Sequence, residues 1–569
     1  MLNCNELIMS EDSRDYIVEY NSVVFRELTQ MGGICLQCIN DTWCLLYVKD
    51  ADRGEVSIER NGYYSIPKLY ALTDTTSFDQ SGITATLNQP FLNVRGQGVI
   101  IGFVDTGIDY LLDDFQFARG RSKIAAIWDQ TIQQENYERD SIFSYGTVYT
   151  RDDIDRALQA REQGKDPYET VPSRDTNGHG TFLAGVAAAS KTENYMGAAP
   201  DSEIVMVKLK PAKQYLRDFF MINEKAEAYS ETDIMAGVRF LQVYARKESK
   251  PLVICIGLGT GSGPRTGGMP LSSYLNYIAE QVNIVVVTPT GNEANNRGHV
   301  SGVAASNTEG SEIEINVGAN ERGFAMEIWA ESQDILSVSI TSPSGEIIPR
   351  IPARLGTSSI FNFLLEQSQL TVDYRVVETI SGYEVIFMRF INPAQGIWKI
   401  DVYSLTNIVG SYNAWLPLKE FLTGDTFFLQ SDPSTTLTEP SAAERVISVG
   451  AYNHVTGAAY ISSGRGYTAN DMVKPDLVAP GVDVYGVKAG GGYTRKTGTS
   501  IAAAHTAGAA ALLLTWGVFY KNLPYMGNNE VKSILIRGAV RDNNVVYPDN
   551  VYGYGKLDLM ESFIKIRTT

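Results

Sequence analysis

The chain has 569 residues, of which 44% are hydrophobic. This length and composition predict about three to four domains with apolar cores, and they exclude a disordered segment or a small disulfide-stapled peptide. Its 65 acidic residues outnumber its 48 basic residues, and the formal net charge of −17 disfavours binding to nucleic-acid phosphates or to anionic membranes. Five cysteines are too few, and odd in number, for a disulfide framework.

The N-terminal segment is predicted to form a small α+β module. Residues 16–20 alternate like a short strand, a helical pattern follows near Val23–Thr29, and Ile34–Lys49 has the pattern of two strands around a turn at Asn40-Asp41. Met1–Tyr20 has no basic region followed by a continuous apolar stretch, so we expect no secretory signal.

From Gly98 onward the sequence alternates between strand and helix patterns, which predicts a parallel sheet with helices on both faces. The predicted strands are Val99–Val104, Ile204–Leu209, Leu252–Ile256 and Ile284–Thr288, and the predicted helices are Gly180–Ala189 and Thr232–Arg246. Residues 116–170 carry many charges and glutamines, which favours a long surface excursion. The longest apolar runs, Ile284–Val287 and Ala507–Trp516, are shorter than the roughly 20 residues of a membrane helix, so we expect no membrane insertion.

Short strand patterns separated by Gly, Pro, Asn and Ser interrupt this alternation between about Glu309 and Asp432 and predict an inserted, jelly-roll-like β-sandwich. Its predicted strands are Ile313–Val317, Ile335–Thr341, Leu370–Val377, Tyr383–Phe390 and Ile397–Tyr403. The α/β pattern resumes at Arg445–Ala451. The predicted domains are therefore residues 1–75, an α/β domain in two parts at 76–308 and 433–569, and the sandwich at 309–432.

Two motifs supply a base and a residue that orients it, as hydrolysis by a serine nucleophile requires. Asp105 ends the apolar strand in Val99-Ile-Ile-Gly-Phe-Val-Asp105, and open α/β sheets carry functional residues at the carboxyl ends of their strands. His179 lies at the mouth of an Ala-rich helix, between glycines that let neighbouring backbone approach closely. Asp105 is the candidate orienting residue, and His179 is the candidate base.

Two further motifs supply the nucleophile and the donors for an oxyanion. Ser500 opens a helix of small residues, whose first N–H groups have no helical partner and point at any anion. Asn292 follows the strand that leads into Thr288-Pro-Thr-Gly-Asn292, and its side-chain amide is a second donor. Ser500 is the candidate nucleophile, and Asn292 is the candidate oxyanion residue.

These motifs resemble the three signatures of the subtilisin family of serine endopeptidases. Asp105-Thr-Gly, His179-Gly-Thr and Gly498-Thr-Ser500 match them in the chain order of the family. The resemblance spans residues 14–305 and 434–560. It implies a subtilisin-like fold and an endopeptidase whose catalytic residues are Asp105, His179 and Ser500.

The resemblance also implies a substrate cleft. It places an acidic residue, Asp175, beside the cleft. It implies that the strand that pairs with extended substrate contains Gly257, Leu258 and Gly259. It implies that the opposite wall of the primary specificity pocket consists of Pro289, Thr290 and Gly291. Two of these positions, Gly259 and Gly291, carry no bulky side chain, so a medium or large substrate residue is expected to fit before the scissile bond.

Within the family, the combination of an N-terminal prodomain, a long excursion before the histidine, an inserted sandwich and no secretory signal is similar to the Csp germination proteases of clostridial spores. Those proteases activate a precursor of a spore-cortex hydrolase by limited cleavage. The similarity implies that residues 1–75 are a chaperone and inhibitor that lies in the cleft, and that self-cleavage falls within Leu69–Thr76. It also implies a cytoplasmic or spore-associated protein, with non-classical release left open.

Other candidate sites are weighed against simpler interpretations. His505 is interpreted as a packed helix histidine, and the cysteines at 35, 38 and 44 as ordinary thiols rather than a zinc site. No metal or other cofactor is expected, although calcium stays open because Asp114 matches one calcium-ligand position of the family. Against calcium, the partner loop from Ser190 to Gly197 is short and carries Lys191.

Three functions remain open from the sequence. The first is an endopeptidase that matures itself and then clips one or a few protein substrates. The second is a broad-specificity peptidase of an anaerobic bacterium. The third is a catalytically silent binding protein whose cleft its own prodomain blocks.

Overall fold

A computed structural model describes residues 13–19, 34–38, 43–49, 80–117, 121–132, 146–212, 214–304, 308–330, 333–354, 358–377, 382–405 and 410–566. The chain divides into two units, Met1–Thr73 and Asp74–Thr569. The first unit contains an antiparallel sheet in the order β1-β3-β2, with β1 at Ser13–Glu19, β2 at Ile34–Cys38 and β3 at Trp43–Lys49. The helix predicted near Val23–Thr29 and the cleavage segment Leu69–Thr76 lie outside the described residues.

The second unit is built on an eight-stranded sheet in the order β24-β23-β11-β10-β4-β9-β7-β8. Its strands are β4 (Ile100–Asp105), β7 (Ile124–Asp129), β8 (Thr147–Thr150), β9 (Glu203–Lys208), β10 (Leu252–Ile256), β11 (Ile284–Pro289), β23 (Ile447–Tyr452) and β24 (Leu477–Pro480). Neighbouring strands are parallel except at the edge, where β8 runs antiparallel to β7. Two short hairpins lie outside this sheet: β5 (Gln116–Phe117) with β6 (Arg121–Ser122), and β25 (Val484–Val487) with β26 (Tyr493–Lys496).

Helices cover both faces of the sheet, as predicted. The described helices are α1 (Ile83–Leu87), α2 (Arg151–Glu162), α3 (His179–Ala188), α4 (Gln214–Phe220), α5 (Glu231–Lys247), α6 (Pro270–Ala279), α7 (Thr499–Leu514), α8 (Asn528–Gly538) and α9 (Leu559–Ile566). Because side chains alternate along a strand, Ile101 and Phe103 of β4 pack with α3 and α7, whereas Ile100 and Val104 pack with α5 and α6.

The interruption after β11 is a sandwich of two antiparallel sheets around one apolar core. The six-stranded sheet contains β12 (His299–Ala304), β14 (Gly323–Ala330), β17 (Ser358–Asn362), β18 (Gln369–Arg375), β19 (Glu384–Ile391) and β21 (Gly410–Trp415). The five-stranded sheet contains β13 (Ser311–Val317), β15 (Leu336–Thr341), β16 (Ile347–Ile351), β20 (Gly396–Ser404) and β22 (Phe427–Phe428). The first strand begins at His299, before the boundary predicted at residue 309, because the serine and glycine at its centre weaken the strand pattern.

One expectation, a surface excursion over residues 116–170, is wrong for the part that enters the sheet. β7 lies in this stretch, and all its residues are buried between β8 and β9. Its short apolar run, Ile-Ala-Ala-Ile-Trp, is flanked by charged residues that dominate the composition of the segment. The expectation of an excursion rests on average composition, which does not detect so short a core strand.

The helix that begins at Thr499 continues through a π-helical turn to Phe519 and is long and apolar enough to cross a membrane. In this fold, 89% of its most apolar window is buried inside the protein. It is therefore the central core helix of the unit.

Candidate active site

Three neighbouring parallel strands bring their carboxyl ends to one edge of the sheet. β4, β10 and β11 are adjacent, and they lead into Asp105, Gly257 and Thr290, respectively. Asp105 is fully buried at this edge, and its Oδ1 accepts a hydrogen bond of 2.8 Å from the backbone N–H of Thr106. Its Oδ2 is buried and has no hydrogen-bond partner among the described residues.

His179 is the first residue of α3. It follows Gly178, whose φ of 80° is a left-handed conformation that favours glycine and turns the chain into the helix. The imidazole Nδ1 lies 2.8 Å from Asp105 Oδ1, and the side chain is 29% exposed. Asp105 therefore orients the ring with its Nε2 free to face another group.

Ser500 lies in the first turn of α7, and its Oγ is 3.1 Å from Nε2 of His179. Its backbone N–H belongs to the helix end where N–H groups have no partner within the helix. The structure thus brings together Asp105, His179 and Ser500, which lie 74 and 321 positions apart along the chain.

Opposing effects act on the pKa of His179. Burial lowers it, while the charge and hydrogen bond of Asp105 raise it. Lys496 lowers the pKa and Asp175 raises it, and the net result lies above the ordinary value of 6.5. A neutral imidazole, which a general base must be, is therefore expected only above mildly acidic pH.

Asn292 lies next to the nucleophile with its amide held in one orientation. Its Oδ1 accepts hydrogen bonds from Thr499, at 3.1 Å from the backbone N–H and 3.3 Å from the hydroxyl. A Cβ built on Gly498 would lie 3.5 Å from Ser500 Oγ and 3.8 Å from Asn292 Nδ2. With its oxygen occupied, Asn292 has its Nδ2 donors available for an oxyanion that forms near Ser500.

The residues predicted to form a cleft lie at or directly after the ends of β10 and β11 at the same edge, and these two stretches are called the first and the second wall. On the first wall, a Cβ on Gly257 would lie 2.4 Å from Asp105 Oδ2, Leu258 packs against the apolar layer below, and Gly259 is exposed. On the second wall, Pro289 ends β11, Thr290 is buried, and Gly291 has a φ of 85°. Gly257 thus lies against Asp105, where any side chain would collide with the carboxylate, and Gly291 occupies a left-handed turn that favours glycine.

Sequence reasoning missed Thr438, which lies between the two walls. A Cβ on Gly259 would lie 2.4 Å from Thr438 Oγ1, and one on Gly291 would lie 2.4 Å from Thr438 Cγ2. The backbone N–H of Thr438 donates to Thr290 O at 2.9 Å. Since Thr438 follows the sandwich and belongs to no motif, only the closing of the chain around the insertion reveals it.

Asp175 is 8% exposed, and its carboxylate accepts hydrogen bonds from the protein itself. The donors are Thr106 Oγ1 at 2.9 Å, Gly178 N at 2.8 Å, and Thr181 N and Oγ1 at 2.9 and 2.6 Å. Its predicted place beside a cleft thus coincides with the N-terminus of the helix that carries His179.

The sandwich contacts both walls through the segment that follows β21. Gly261 packs against Leu418, and the backbone N–H of Lys419 donates to Glu293 Oε2 at 3.3 Å, one residue beyond Asn292. Glu420 from the same segment is close enough to His179 for their charges to interact. The insertion therefore forms part of the candidate site.

Asp114, the residue left open as a calcium ligand, is engaged by a tyrosine. Tyr493 donates a hydrogen bond of 3.1 Å to Asp114 Oδ1, and the same hydroxyl lies 3.2 Å from Thr192 Oγ1. Within the described residues, no group of three or more His, Cys, Asp or Glu side chains is placed to hold a metal ion. Tyr493 thus bridges Asp114 to the loop that would supply the other ligands.

His505 plays no part in this arrangement. His505 is fully buried in α7 with Nδ1 3.1 Å from Ile501 O, and burial lowers its pKa to about 4, which agrees with a packed helix histidine. The side chains of Cys35, Cys38 and Cys44 lie outside the described part of the structure.

Comparison with known proteins places this geometry in a family. The solved structure of the Clostridium perfringens CspB protease is 30% identical, covers 87% of this chain and 99% of that chain, and superimposes with a TM-score of 0.75. A PII-type proteinase of Lactococcus lactis subsp. cremoris is 22% identical over 559 residues, and the serine protease AprX of Bacillus subtilis (strain 168) is 30% identical over 149 residues. The match to the lactococcal proteinase spans 87% of this chain but 27% of that proteinase. The match to AprX spans 23% of this chain and 32% of AprX.

The model of the subtilase family, the family of subtilisin-like serine proteases, matches residues 96–370 and 402–555. These residues make up more than half of the chain and include every residue placed at the candidate site. The chain therefore belongs to the subtilase family.

Proposed function

We propose that the protein is a serine endopeptidase that uses Asp105, His179 and Ser500. The observation that carries this proposal is the unbroken line of contacts from Asp105 Oδ1 to His179 Nδ1, at 2.8 Å, and from His179 Nε2 to Ser500 Oγ, at 3.1 Å. This line is the arrangement needed for a serine to lose its proton to a base that a carboxylate orients.

In the proposed reaction, Ser500 Oγ bonds to the carbonyl carbon of a peptide while His179 Nε2 takes the hydroxyl proton. The peptide C–N bond then breaks as His179 gives this proton to the leaving amine, which leaves an acyl-enzyme. Water, deprotonated by the same nitrogen, then bonds to the ester carbonyl carbon, and the C–O bond to Ser500 breaks as His179 returns this proton to Oγ. Asn292 Nδ2 and the backbone N–H of Ser500 stabilise the oxyanion in both halves.

We further propose that residues 1–75 are a prodomain that the enzyme removes from itself and that binds in its cleft. The test is a denaturing gel of the purified protein beside Ser500→Ala. A cut near residue 75 divides the 62.5 kDa chain, in proportion to length, into fragments of about 54 and about 8 kDa. We expect both fragments in the wild type only. A single full-length band in both samples contradicts self-processing.

The proposed role is limited proteolysis that activates the precursor of a spore-cortex hydrolase during germination, in a cytoplasmic or spore-associated setting. The similarity to a protein named CspB protease supports this role. Incubation with casein and with candidate precursor proteins separates it from the alternatives. A single cut in a precursor with slow casein digestion supports the role, rapid casein digestion indicates a broad peptidase, and no cleavage of either indicates a silent binding protein.

A further inference from the structure

The N-terminus of α3 is held by side chains that surround it. A helix leaves its first N–H groups without helical partners, and His179 is the residue at which this helix begins. Here each of these groups has an acceptor: Gly178 N and Thr181 N donate to Asp175, His179 N donates to Asn177 Oδ1 at 3.1 Å, and Gly180 N donates to Thr106 Oγ1 at 3.0 Å.

Asp175 is central to this arrangement. Each of its two oxygens accepts two hydrogen bonds: Oδ1 from Thr106 and Gly178, and Oδ2 from the N–H and the hydroxyl of Thr181. The residue is 8% exposed. Its negative charge lies at the positive end of the α3 dipole, where an anion is stabilised. The carboxylate therefore has no oxygen left to receive a substrate and is fully engaged in holding the helix.

The same network reaches the residue that orients the imidazole. The hydroxyl of Thr106 donates to Asp175 Oδ1 and accepts from Gly180 N, while its backbone N–H donates to Asp105 Oδ1. That oxygen of Asp105 is the one 2.8 Å from His179 Nδ1. Thr106 thus connects Asp105, and the helix turn that carries His179, to the carboxylate of Asp175.

The helix and the loop after β4 also pack too closely to slide. A Cβ on Gly180 would lie 2.2 Å from Gly107 O, and Thr181 Oγ1 accepts a hydrogen bond of 2.9 Å from Asp109 N. A displacement of the helix mouth would therefore move the imidazole relative to Asp105 and Ser500.

We propose that Asp175 is a positioning residue for His179, acting through Thr106 and the first turn of α3, and not the substrate contact that its place beside the cleft suggests. This inference rests on the proposed peptidase function, since it concerns the same site. The loss of this anchor should misplace the base by a fraction of an ångström and slow the chemical step, while the binding of substrate is retained.

The electrostatic surroundings agree with this role. Charged groups from four elements of the described structure act on His179. They are Asp105 from β4, Asp175 from the loop before α3, Lys496 from β26 and Glu420 from the segment after β21. Asp175 raises the pKa of His179 together with Asp105. Removing its charge should therefore lower this pKa and move the acid limb of the rate profile to lower pH.

The test compares the kinetics of Asp175→Asn and of the wild type on one peptide p-nitroanilide. This substrate is first selected as one that the wild-type enzyme cleaves, from a panel that varies the residue before the scissile bond. Asparagine has nearly the same shape, but its NH2 group faces an N–H donor and cannot accept a hydrogen bond. We expect kcat to fall between about 10-fold and 100-fold, the scale of a misplaced catalytic group, with KM changed less than about 3-fold. Asp166→Asn, the same change at an exposed residue outside this network, should alter neither constant.

An increase in KM with kcat unchanged would indicate a substrate contact and overturn the proposal, as would the absence of any effect. If Asp175→Asn does not fold, as judged by its thermal transition, Thr106→Val and Thr106→Ser provide the same test. Serine keeps the connecting hydroxyl and should restore most of the kcat that valine loses, and equal losses would overturn the proposal. An inactive wild type would instead refute the proposed function, so the two failures are distinguishable.

Discussion

The imidazole of His179 lies among charges of opposite sign, and its base form depends on their balance. Because the pKa of His179 lies above 6.5, the active form is lost as the pH falls through that raised value. The acid limb of kcat/KM should therefore have its midpoint above pH 6.5. A midpoint at or below pH 6.5 would contradict the assigned effect of Asp105.

Lys496 provides a direct test of this balance. Its Nζ lies 3.2 Å from Gly178 O at the mouth of α3, and its charge lowers the pKa of His179. Lys496→Met should raise this pKa and move the acid limb of kcat/KM to higher pH, as measured on one peptide substrate over a pH series. The control Lys488→Met removes an exposed lysine from the same β-hairpin and should leave the limb in place.

Thr438 is expected to set the size of the substrate residue that the cleft accepts. Its side chain fills the space between Gly259 and Gly291, and its Oγ1 is buried without a hydrogen-bond partner among the described residues. Thr438→Gly should raise kcat/KM for large aromatic residues before the scissile bond relative to small ones, measured on a peptide panel. Thr438→Val keeps the volume and should keep the wild-type preference. The same shift in both variants would show that volume is not the cause.

Among the elements, α7 shows why some features are readable from sequence. All of its residues from Thr499 to Leu514 are buried, so the run of Ala, Gly and Leu has no polar face and reads as a core helix. The motifs around Asp105, His179 and Ser500 are equally local, because each lies within one strand end or one helix start. Only Asp105 among them ends a strand of the sheet, so the rule for strand ends does not by itself bring His179 and Ser500 to it. That the three residues meet is what the resemblance to the family implies.

The features missed by sequence reasoning depend on contacts between distant segments. Thr438 enters the cleft only because the chain returns from the sandwich beside Gly259 and Gly291. The hydrogen-bond partners of Asp175 include Thr106, which precedes it by 69 positions, and no spacing pattern encodes such a pair. β7 was missed because its five-residue apolar run is surrounded by charge.

The sandwich contains a buried acid that should make its stability depend on pH. Glu384 begins β19, where one carboxylate oxygen accepts a hydrogen bond from Leu336 N at 2.6 Å and the other has no partner among the described residues. Burial raises the pKa of Glu384 from 4.5 to about 8. The folded protein thus keeps a proton that the unfolded chain releases between these values, so stability falls as the pH rises through this window.

Glu384→Gln should remove this dependence. The free energy of unfolding of the variant, minus that of the wild type, should increase from pH 5 to pH 8 and then level off. The total increase should be about 1.4 kcal/mol for each unit by which the pKa of Glu384 differs between the folded and the unfolded protein. Chemical denaturation at several pH values measures it. Glu309→Gln, at an exposed site in the same sandwich, should show no such trend. A constant difference across the series would refute a proton held at Glu384.

At the scale of the whole molecule, the sandwich and the cleft walls are joined by a buried junction. The guanidinium of Arg265 lies 4.7 Å from the ring of Trp415, and His299 stacks on that ring with centroids 5.1 Å apart. Gly263 N donates to Glu327 Oε2 at 2.9 Å. The loop after the first cleft wall is therefore fixed to the insertion.

Trp415→Ala should lower both stability and activity because it removes the centre of this junction. Truncating a buried tryptophan costs about 3–5 kcal/mol, and the loss should appear as a lower thermal midpoint together with a lower kcat/KM. Leu364→Ala, at a residue 84% exposed on the sandwich, should change neither. A less stable Trp415→Ala variant with wild-type kcat/KM would show that the insertion does not support the cleft.

The order of the site residues along the chain has a consequence for synthesis. Asp105, His179 and Asn292 precede the sandwich, whereas Thr438 and Ser500 follow it, and α7 supplies part of the core beneath the sheet. A ribosome must therefore translate the entire insertion before the nucleophile exists. Nascent chains and fragments that terminate before residue 500 therefore lack the hydroxyl of the proposed nucleophile and should show no peptidase activity.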